Sequence, residues 1–125
     1  MASSNPLKKK FLFISRAAPY GNNRAQLCLD AAFASAVFEQ DVSYLFMDDG
    51  VFQLLSDQSA ESIHSKSLGN MLETLDLYGI EKVFVHKDSL AQRKLGSKDL
   101  LLDARSIDSR EIAALVNQCD CVINL

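Results

Sequence analysis

Runs of apolar residues too short for helices alternate along this chain of 125 residues with segments of helical periodicity. Strands are predicted by the short apolar runs, which lie at residues 11–14, 42–47, 82–86, 100–102 and 121–125. Helices are predicted by the helical spacing of apolar residues at 24–38, 68–78, 89–94 and after Asp108. This alternation favours right-handed crossovers. It predicts a single three-layer α/β domain with a sheet of about five mostly parallel strands and helices on both faces.

Residues with special backbone or capping preferences mark the ends of these elements. Asn22 or Asn23 is suited to cap the first helix. Gly79 is expected to end the helix before the third strand, and Gly96 the short helix after that strand, because glycine adopts the left-handed conformation at no steric cost. The segment Asp108–Glu111 matches a capping box, in which the two carboxylates bond to backbone N–H groups at the start of a helix.

An acidic segment follows the second predicted strand. Asp48, Asp49 and Gly50 suit a tight turn, and residues 51–55 are expected to form one short helical turn. The polar segment at 56–67 has no clear period and is expected to be an exposed loop.

The composition limits the classes of protein to consider. Hydrophobic residues make up 48% of the chain and charged residues 23%, as in an ordinary globular domain. A formal net charge of −3 argues against direct binding of nucleic acid, which requires a basic surface. Three cysteines, an odd number, suit a reducing compartment better than a disulfide framework.

The amino-terminal segment resembles neither a targeting sequence nor a membrane span. Residues 1–9 are expected to be flexible, and the single domain is expected to cover residues 10–125. The apolar run that follows Lys10 is too short for a secretory signal, and no run approaches the roughly 20 residues of a spanning helix. We therefore expect a cytoplasmic protein without a membrane partner.

The first predicted helix is apolar around almost its whole circumference. A surface helix usually has one apolar stripe and a polar back, so this helix, which includes Phe33, is expected to be covered on a second side. A domain of this size has little chain to spare for that purpose, which favours another chain as the cover. Alternatively, its many alanines only reflect helix propensity, because exposed methyl groups cost little.

Functional sites on open parallel sheets form beyond the carboxyl ends of the strands. The loops at residues 15–23 and 48–53 are expected there. The first contains one glycine, Gly21, and lacks the glycine patterns that bring a backbone close to a phosphate. No cofactor is therefore expected, and a nucleotide- or flavin-binding module is suggested by the fold class alone.

Acidic and histidine side chains provide two further candidate sites. Asp48 and Asp49 suit Mg²⁺ binding or acid–base chemistry, but adjacent residues on a strand point to opposite faces, which favours a role in the turn. His86 is either a fragment of a site or part of a solvated strand end. His64 lies in the polar segment without a recognisable ligand set, so no metal is expected.

The three cysteines differ in their surroundings. Cys28 lies within the apolar first helix, where a cysteine most often acts as a small core residue. Cys119 and Cys121 would share one face if both belonged to the last strand, which suits a redox or persulfide pair. However, they flank Asp120 near the end of a helix, whose dipole disfavours a thiolate.

Three segments resemble one known family of proteins. They are the strand at 10–14 (KFLFI), the loop at 18–21 (APYG) and the run at 45–54 (LFMDDGVFQL). Together with LYGIE at 77–81 and the short apolar run at the end of the sequence, they resemble the DsrE/DsrF-like family over nearly the whole chain. Within that family the similarity is to the DsrF and TusC subunits.

The resemblance implies a flavodoxin-like or Rossmann-like fold and assembly with homologous DsrE/TusD-like and DsrH/TusB-like subunits. The implied assembly is a heterohexamer with two copies of each subunit, as in the DsrEFH and TusBCD complexes. These complexes relay persulfide sulfur to a DsrC-like or TusE-like acceptor. The relay serves sulfur oxidation in one branch of the family and tRNA 2-thiolation in the other.

The resemblance also bears on catalysis. The family's sulfur-carrying cysteine belongs to the DsrE/TusD subunit and follows the second strand, whereas residues 48–78 of this chain contain no cysteine. The resulting hypothesis is a non-catalytic interaction subunit that is not an enzyme by itself and has no catalytic residue. The alternative is a sulfurtransferase that carries a persulfide on Cys119 or Cys121.

The expected subunit contacts lie in the two loops at the functional edge and on the first helix. These contact residues are Tyr20, Gly21, Asp48, Asp49, Phe52 and Phe33. Phe52 is the expected anchor, because an aromatic side chain beside a polar rim is typical of an interface hot spot.

Overall fold

The computed structural model describes residues 8–19, 23–55, 70–96, 100 and 104–125. Within this part of the chain, the strands are β1 (Lys10–Ser15), β2 (Asp41–Phe46), β3 (Lys82–His86), β4 (Arg105–Ile107) and β5 (Cys121–Asn124). The α-helices are α1 (Arg24–Val37), α2 (Lys87–Gln92) and α3 (Ser109–Gln118). Two 3₁₀-helices span Asp48–Leu54 and Leu75–Tyr78.

All five strands are parallel and lie in the order β4-β3-β2-β1-β5. Phe13 in β1 aligns with Tyr44 in β2 on one side and with Ile123 in β5 on the other. Parallel neighbours require connections that return across the sheet, which explains why helices alternate with the strands. The predicted α/β domain with a parallel sheet is confirmed.

Two hydrophobic clusters cover the two faces of the sheet. On one face, α1 and the 3₁₀-helices pack on a cluster that contains Phe13, Tyr44 and Phe46. The Tyr44 and Phe46 rings lie 5.0 Å apart, centroid to centroid. On the opposite face, α3 packs Ile112 against Leu12. The sheet therefore carries helices on both faces, as the alternating pattern predicts.

The fourth strand of the sheet is not at Leu100, where the predicted strand at 100–102 begins; residues 101 and 102 lie outside the described part. Leu100 forms only an isolated antiparallel bridge with Leu55, and the strand that pairs with β3 begins at Arg105. Of the three residues of β4, only Ile107 is buried. An edge strand with one buried residue leaves almost no hydrophobic signal, so the sequence pattern favours the more apolar run before it.

Backbone geometry corrects two predicted helix ends. The short helix after β3 begins two residues earlier than predicted, and Lys94 rather than Gly96 adopts the left-handed conformation after it, with φ of 56°. Asn23 occupies the N-cap position of α1, but its side chain makes no capping hydrogen bond. Asn22 lies outside the described residues. At Gly79, by contrast, φ is 82° and the predicted helix end is confirmed.

The helix predicted at residues 68–78 is interrupted in the structure. Residues 70–72 are helical, two turn residues follow, and the second 3₁₀-helix completes the segment. The hydroxyl of Thr74 donates to the carbonyl oxygen of Met71 at 2.7 Å, so a side chain competes with the backbone ladder at the break. Residues 68 and 69 lie outside the described part.

The acidic segment after β2 forms a single helical element, which is longer than the predicted helical turn. The first 3₁₀-helix includes both Asp48 and Gly50, where a tight turn separate from a helical turn at 51–55 was expected. The exposed loop predicted at 56–67 lies outside the described residues.

The capping box is confirmed, because Asp108 accepts from the backbone N–H of Glu111 at 2.8 Å and Glu111 bonds back to Asp108.

Candidate functional site

The carboxyl ends of β1, β2 and β5 border an open cleft of about 690 Å³. Its lining residues are Arg16, Arg24, Asp48, Asp49, Asn124 and Leu125. The site forms here because parallel strands place all their carboxyl ends at one edge, where the following loops diverge. The location agrees with the expected functional edge.

Two ion pairs on separate arginines hold the acidic residues of this edge. Arg16 Nε lies 2.7 Å from Asp48 Oδ2, and Arg93 Nη2 lies 3.0 Å from Asp49 Oδ1. Each carboxylate therefore has its own cation and does not share a ligand site with its neighbour. The interpretation of Asp48 and Asp49 as a Mg²⁺ site or an acid–base pair gains no support from this arrangement. Among the described residues, no group of three or more potential ligands could hold a metal ion.

The expected anchor Phe52 stands next to one of these ion pairs. Its side chain is half-buried, and the Arg93 guanidinium carbon lies 5.8 Å from the ring centroid. That distance is within the range of a cation–π contact. One small cluster thus combines the aromatic ring of Phe52 with the ion pair of Asp49 and Arg93.

Buried polar side chains lie beneath the edge. Gln53 is 2% exposed, and its amide Nε2 donates to Ser15 Oγ and to the carbonyl oxygen of Ala17, both at 2.8 Å. These two bonds tie the first 3₁₀-helix to the end of β1. They keep the loop that carries Arg16 close to the 3₁₀-helix that carries Asp48.

A tyrosine and a cysteine extend this polar group into the core. Tyr44 and Cys28 are fully buried, and burial raises the pKa of both side chains. For Cys28, the hydroxyls of Tyr44 and Ser15 partly oppose the rise in pKa. The Tyr44 hydroxyl nevertheless has no well-formed hydrogen bond to any described group. Cys28 is therefore a protonated core residue, as its place in α1 predicted.

His86 joins three elements at the end of β3. Its Nδ1 lies 2.7 Å from Ser89 Oγ in α2, and its Nε2 lies 3.0 Å from Ser109 Oγ at the start of α3. Ser89 Oγ also accepts from the backbone N–H of Asp48. Only 12% of the His86 side chain is exposed, whereas Lys87 and Asp88 beside it are exposed, so the solvated strand end consists of these two neighbours and not of His86 itself. His64 lies outside the described residues.

The remaining two cysteines are far from the cleft, at the amino-terminal edge of the sheet. Cys119 is the C-cap of α3 and Cys121 is the first residue of β5, so the two are not on one strand as the pair interpretation required. The pKa of Cys119 is raised, mainly by partial burial, and the nearby carboxylates of Asp41 and Asp120 raise it further. A thiol with a raised pKa is a poor nucleophile at neutral pH.

The structure brings together part of the predicted contact set. Asp48, Asp49 and Phe52 lie around the same edge, whereas Phe33 lies on α1 and contacts the ring of Tyr78 at 4.7 Å between centroids. Tyr20 and Gly21 lie outside the described residues. The role of these residues as contacts stays a prediction.

Sequence reasoning missed the partners of the acidic residues. Arg16 follows β1 directly, and this position beyond a strand end is the one signal that could have singled it out. Arg93 reaches the site from the C-cap of α2, and Gln53 from the end of the first 3₁₀-helix. No spacing in the sequence indicates that they meet Asp49 and Ser15 there.

Comparison with known proteins gives consistent matches over most of the chain. The profile of the DsrE/DsrF-like family matches residues 9–125. A TusC homolog of Vibrio parahaemolyticus is 38% identical over 85% of this chain and 90% of its own length. The intracellular sulfur oxidation protein DsrF of Allochromatium vinosum is 35% identical over 93% of this chain and 96% of its own length.

A solved structure shows the same fold. The ychN protein from E. coli superposes with a TM-score of 0.80 at 22% identity, covering 94% of this chain and 99% of that protein. Among the helices of the described residues, none combines the length and hydrophobicity that a membrane-crossing helix needs.

Proposed function

Because this chain belongs to the DsrE/DsrF-like family, we propose that it is an interaction subunit of a cytoplasmic sulfur-relay complex and carries no persulfide itself. Its relatives named TusC homolog and DsrF cover nearly its whole length, which supports the same place in such a complex. The partners are a DsrE/TusD-like and a DsrH/TusB-like subunit, in a heterohexamer that delivers sulfur to a DsrC-like or TusE-like acceptor.

The observation that carries the non-catalytic role is the position of the three cysteines. A persulfide carrier needs a thiolate that donor and acceptor proteins can reach. Cys28 is fully buried, and Cys119 has a raised pKa at the edge of the sheet opposite the cleft. Cys121, the first residue of β5, lies at that same opposite edge. The acidic edge from Asp48 to Leu55 contains no cysteine. The residues of the functional edge are therefore suited to contact rather than to sulfur transfer.

Loading with labelled sulfur tests this proposal. The purified chain and the co-expressed three-subunit complex are each treated with a persulfide donor, and the tryptic peptides are analysed by mass spectrometry. We expect label on a cysteine of a sister subunit and none on this chain. Label on the peptide that contains Cys119 or Cys121 would instead support a sulfurtransferase, and transfer by the chain without its sisters would refute the proposal.

The destination of the sulfur depends on the acceptor and not on this subunit. Both a tRNA-thiolation branch and a sulfur-oxidation branch are consistent with the relatives, which include a TusC homolog and a DsrF protein. Genes for a reverse-acting sulfite reductase next to this gene would favour oxidation, and their absence from the genome would favour tRNA thiolation.

Phe52→Ala is expected to weaken assembly while the isolated chain stays folded. The ring is half-buried and makes a cation–π contact with Arg93, so the loss of both costs the fold about 2 kcal/mol. As an interface anchor, the same ring would contribute about 2 kcal/mol or more to binding. Size-exclusion chromatography of the co-expressed complex measures the effect, and thermal unfolding of the isolated variant is the control. Unchanged elution would place the contact elsewhere.

A further inference from the structure

An apolar patch covers the outer side of α1 and the neighbouring second 3₁₀-helix. Its members are Leu27, Ala34, Val37, Phe38, Leu77 and Tyr78, all of them exposed. Phe38 is 76% exposed, Val37 65% and Leu77 80%. Side chains this large and this exposed are uncommon on a monomer when they occur together, and such patches mark sites of protein interaction.

The patch is continuous because two elements run side by side. Leu27 and Ala34 in α1 and Phe38 at its C-cap follow each other at helical spacing on the side away from the sheet. The segment at 70–78, which contains the second 3₁₀-helix, lies beside α1, since Gln26 Nε2 contacts Met71 Sδ at 2.9 Å. Further along, the rings of Phe33 and Tyr78 are in contact. The apolar surface therefore reaches from α1 to Tyr78 through Phe33.

Carboxylates form the rim of this patch. Asp30 in α1 and Asp76 in the second 3₁₀-helix are exposed, as are Glu39, which follows α1, and Glu73, which precedes that 3₁₀-helix. Residues 24–39 and 70–81 contain Arg24 as their single cationic residue. Of the lysines next to these segments, Lys9 donates its backbone N–H to Gln40 Oε1, and Lys82 pairs with Asp41 at 3.2 Å. Within the described residues, the four rim carboxylates take part in no ion pair.

We propose that this patch docks a different protein chain, whose surface has an apolar centre and a rim of Lys or Arg. A second copy of this chain is disfavoured, because a two-fold contact of the patch with itself would set carboxylates against carboxylates. The inference rests on the proposed function, since the docked chain is a sister subunit of the complex. It adds the face that is used and the charge that the sister must present.

Two variants of the full chain test the two components of the patch. Phe38→Ser combined with Leu77→Ser removes apolar area, and Asp30→Lys combined with Asp76→Lys reverses the rim. None of the four side chains is in the core, so the fold is retained, as circular dichroism of each variant checks. The control is Asn117→Lys combined with Gln118→Lys, which adds positive charge to exposed positions of α3.

The measurement is the amount of this chain that co-purifies with an affinity-tagged sister subunit after co-expression of all three. We expect about a tenfold loss of retention for the apolar variant and a similar loss for the rim variant, while the control resembles the wild type. Raising the salt concentration should weaken the wild-type complex more than the rim variant, since screening acts on attraction between opposite charges.

The possible outcomes separate this inference from the proposed function. A wild-type complex that both variants leave unchanged overturns the docking surface and leaves the sulfur-relay role in place. If the wild type forms no complex with either sister, the proposed function fails and this inference falls with it. A concentration-dependent homodimer that Phe38→Ser and Leu77→Ser abolish would show that a second copy occupies the patch, which also overturns the proposal.

Discussion

Gly50→Ala is expected to lower the free energy of unfolding by about 3 kcal/mol, near the upper end of what overpacking usually costs. A Cβ atom at position 50 would lie 2.0 Å from the carbonyl oxygen of Ser15 and 3.2 Å from Cα of Arg16. Both are backbone atoms of the segment that leaves β1, so no side-chain rotation can relieve the contact. The first 3₁₀-helix or the end of β1 must move.

The contact between Gly50 and β1 also shapes the cleft. The moved segment carries Arg16, whose pairing with Asp48 lines the cleft, so we expect the variant to assemble poorly even when it is folded. Chemical unfolding gives the loss of stability, and co-purification with the sister subunits gives the effect on assembly.

Gly79→Ala is the matched control for this substitution. Nothing lies within 4 Å of a Cβ atom at position 79, so the variant carries only the strain of φ at 82°, about 1 kcal/mol. Equal losses of stability for the two variants would contradict the argument, because then backbone freedom and not close approach would govern position 50.

The second large effect is a loss of stability at alkaline pH. Burial raises the pKa of Tyr44 well above the ordinary tyrosine value, and it also raises the pKa of Cys28. In the unfolded chain both groups ionise at their ordinary values, about pH 10 for tyrosine and about pH 8.5 for cysteine. Above those values the unfolded state has lost protons that the folded state still holds. The free energy of unfolding therefore falls as pH rises.

The expected slope follows from this linkage. Each group lowers the free energy of unfolding by about 1.4 kcal/mol per pH unit between its unfolded and its folded pKa. Below about pH 8 neither group contributes to the pH dependence, because both are protonated in both states. Urea unfolding at several pH values, combined with absorbance at the tyrosinate band, measures the slope. Tyrosinate from Tyr44 should appear only as the chain unfolds.

Tyr44→Phe isolates the contribution of the tyrosine. The hydroxyl of Tyr44 lacks a well-formed hydrogen bond within the described part, so its removal should change stability at neutral pH by less than about 1 kcal/mol. Above about pH 10 the variant should lose stability less steeply than the wild type. Tyr78→Phe, at an exposed position, is the control and should retain the wild-type slope. Parallel curves for Tyr44→Phe and the wild type would refute the assignment.

Local patterns in the sequence were sufficient for most of the fold. Strand β3 lies where its apolar run predicts, Gly79 ends its segment in the left-handed conformation, and Asp108 and Glu111 form the predicted capping box. These features depend on neighbours within a few residues, so the information that determines them is contiguous in the chain. The order of alternating elements then leaves few topologies other than a parallel sheet.

Features that depend on contacts between distant segments could not be predicted. Strand β4 pairs with β3 although it has one buried residue, because the edge of the sheet accepts backbone hydrogen bonds whatever the side chains are. The sequence predicts that the first helix is covered on a second side, but only the structure shows which side the sheet takes and which side stays exposed with Val37 and Phe38.

For the candidate site, the sequence determined the edge and the tertiary structure decided its chemistry. The acidic segment and Phe52 could be placed at the carboxyl ends of the strands from the order of the elements alone. The arginine that neutralises each aspartate, the serines that hold His86 and the distance of Cys119 from the cleft result from folding. The physical reason is that charge, burial and pKa depend on neighbours in space, which lie 32, 44 and 23 positions away in the chain for the Arg16–Asp48, Arg93–Asp49 and His86–Ser109 contacts.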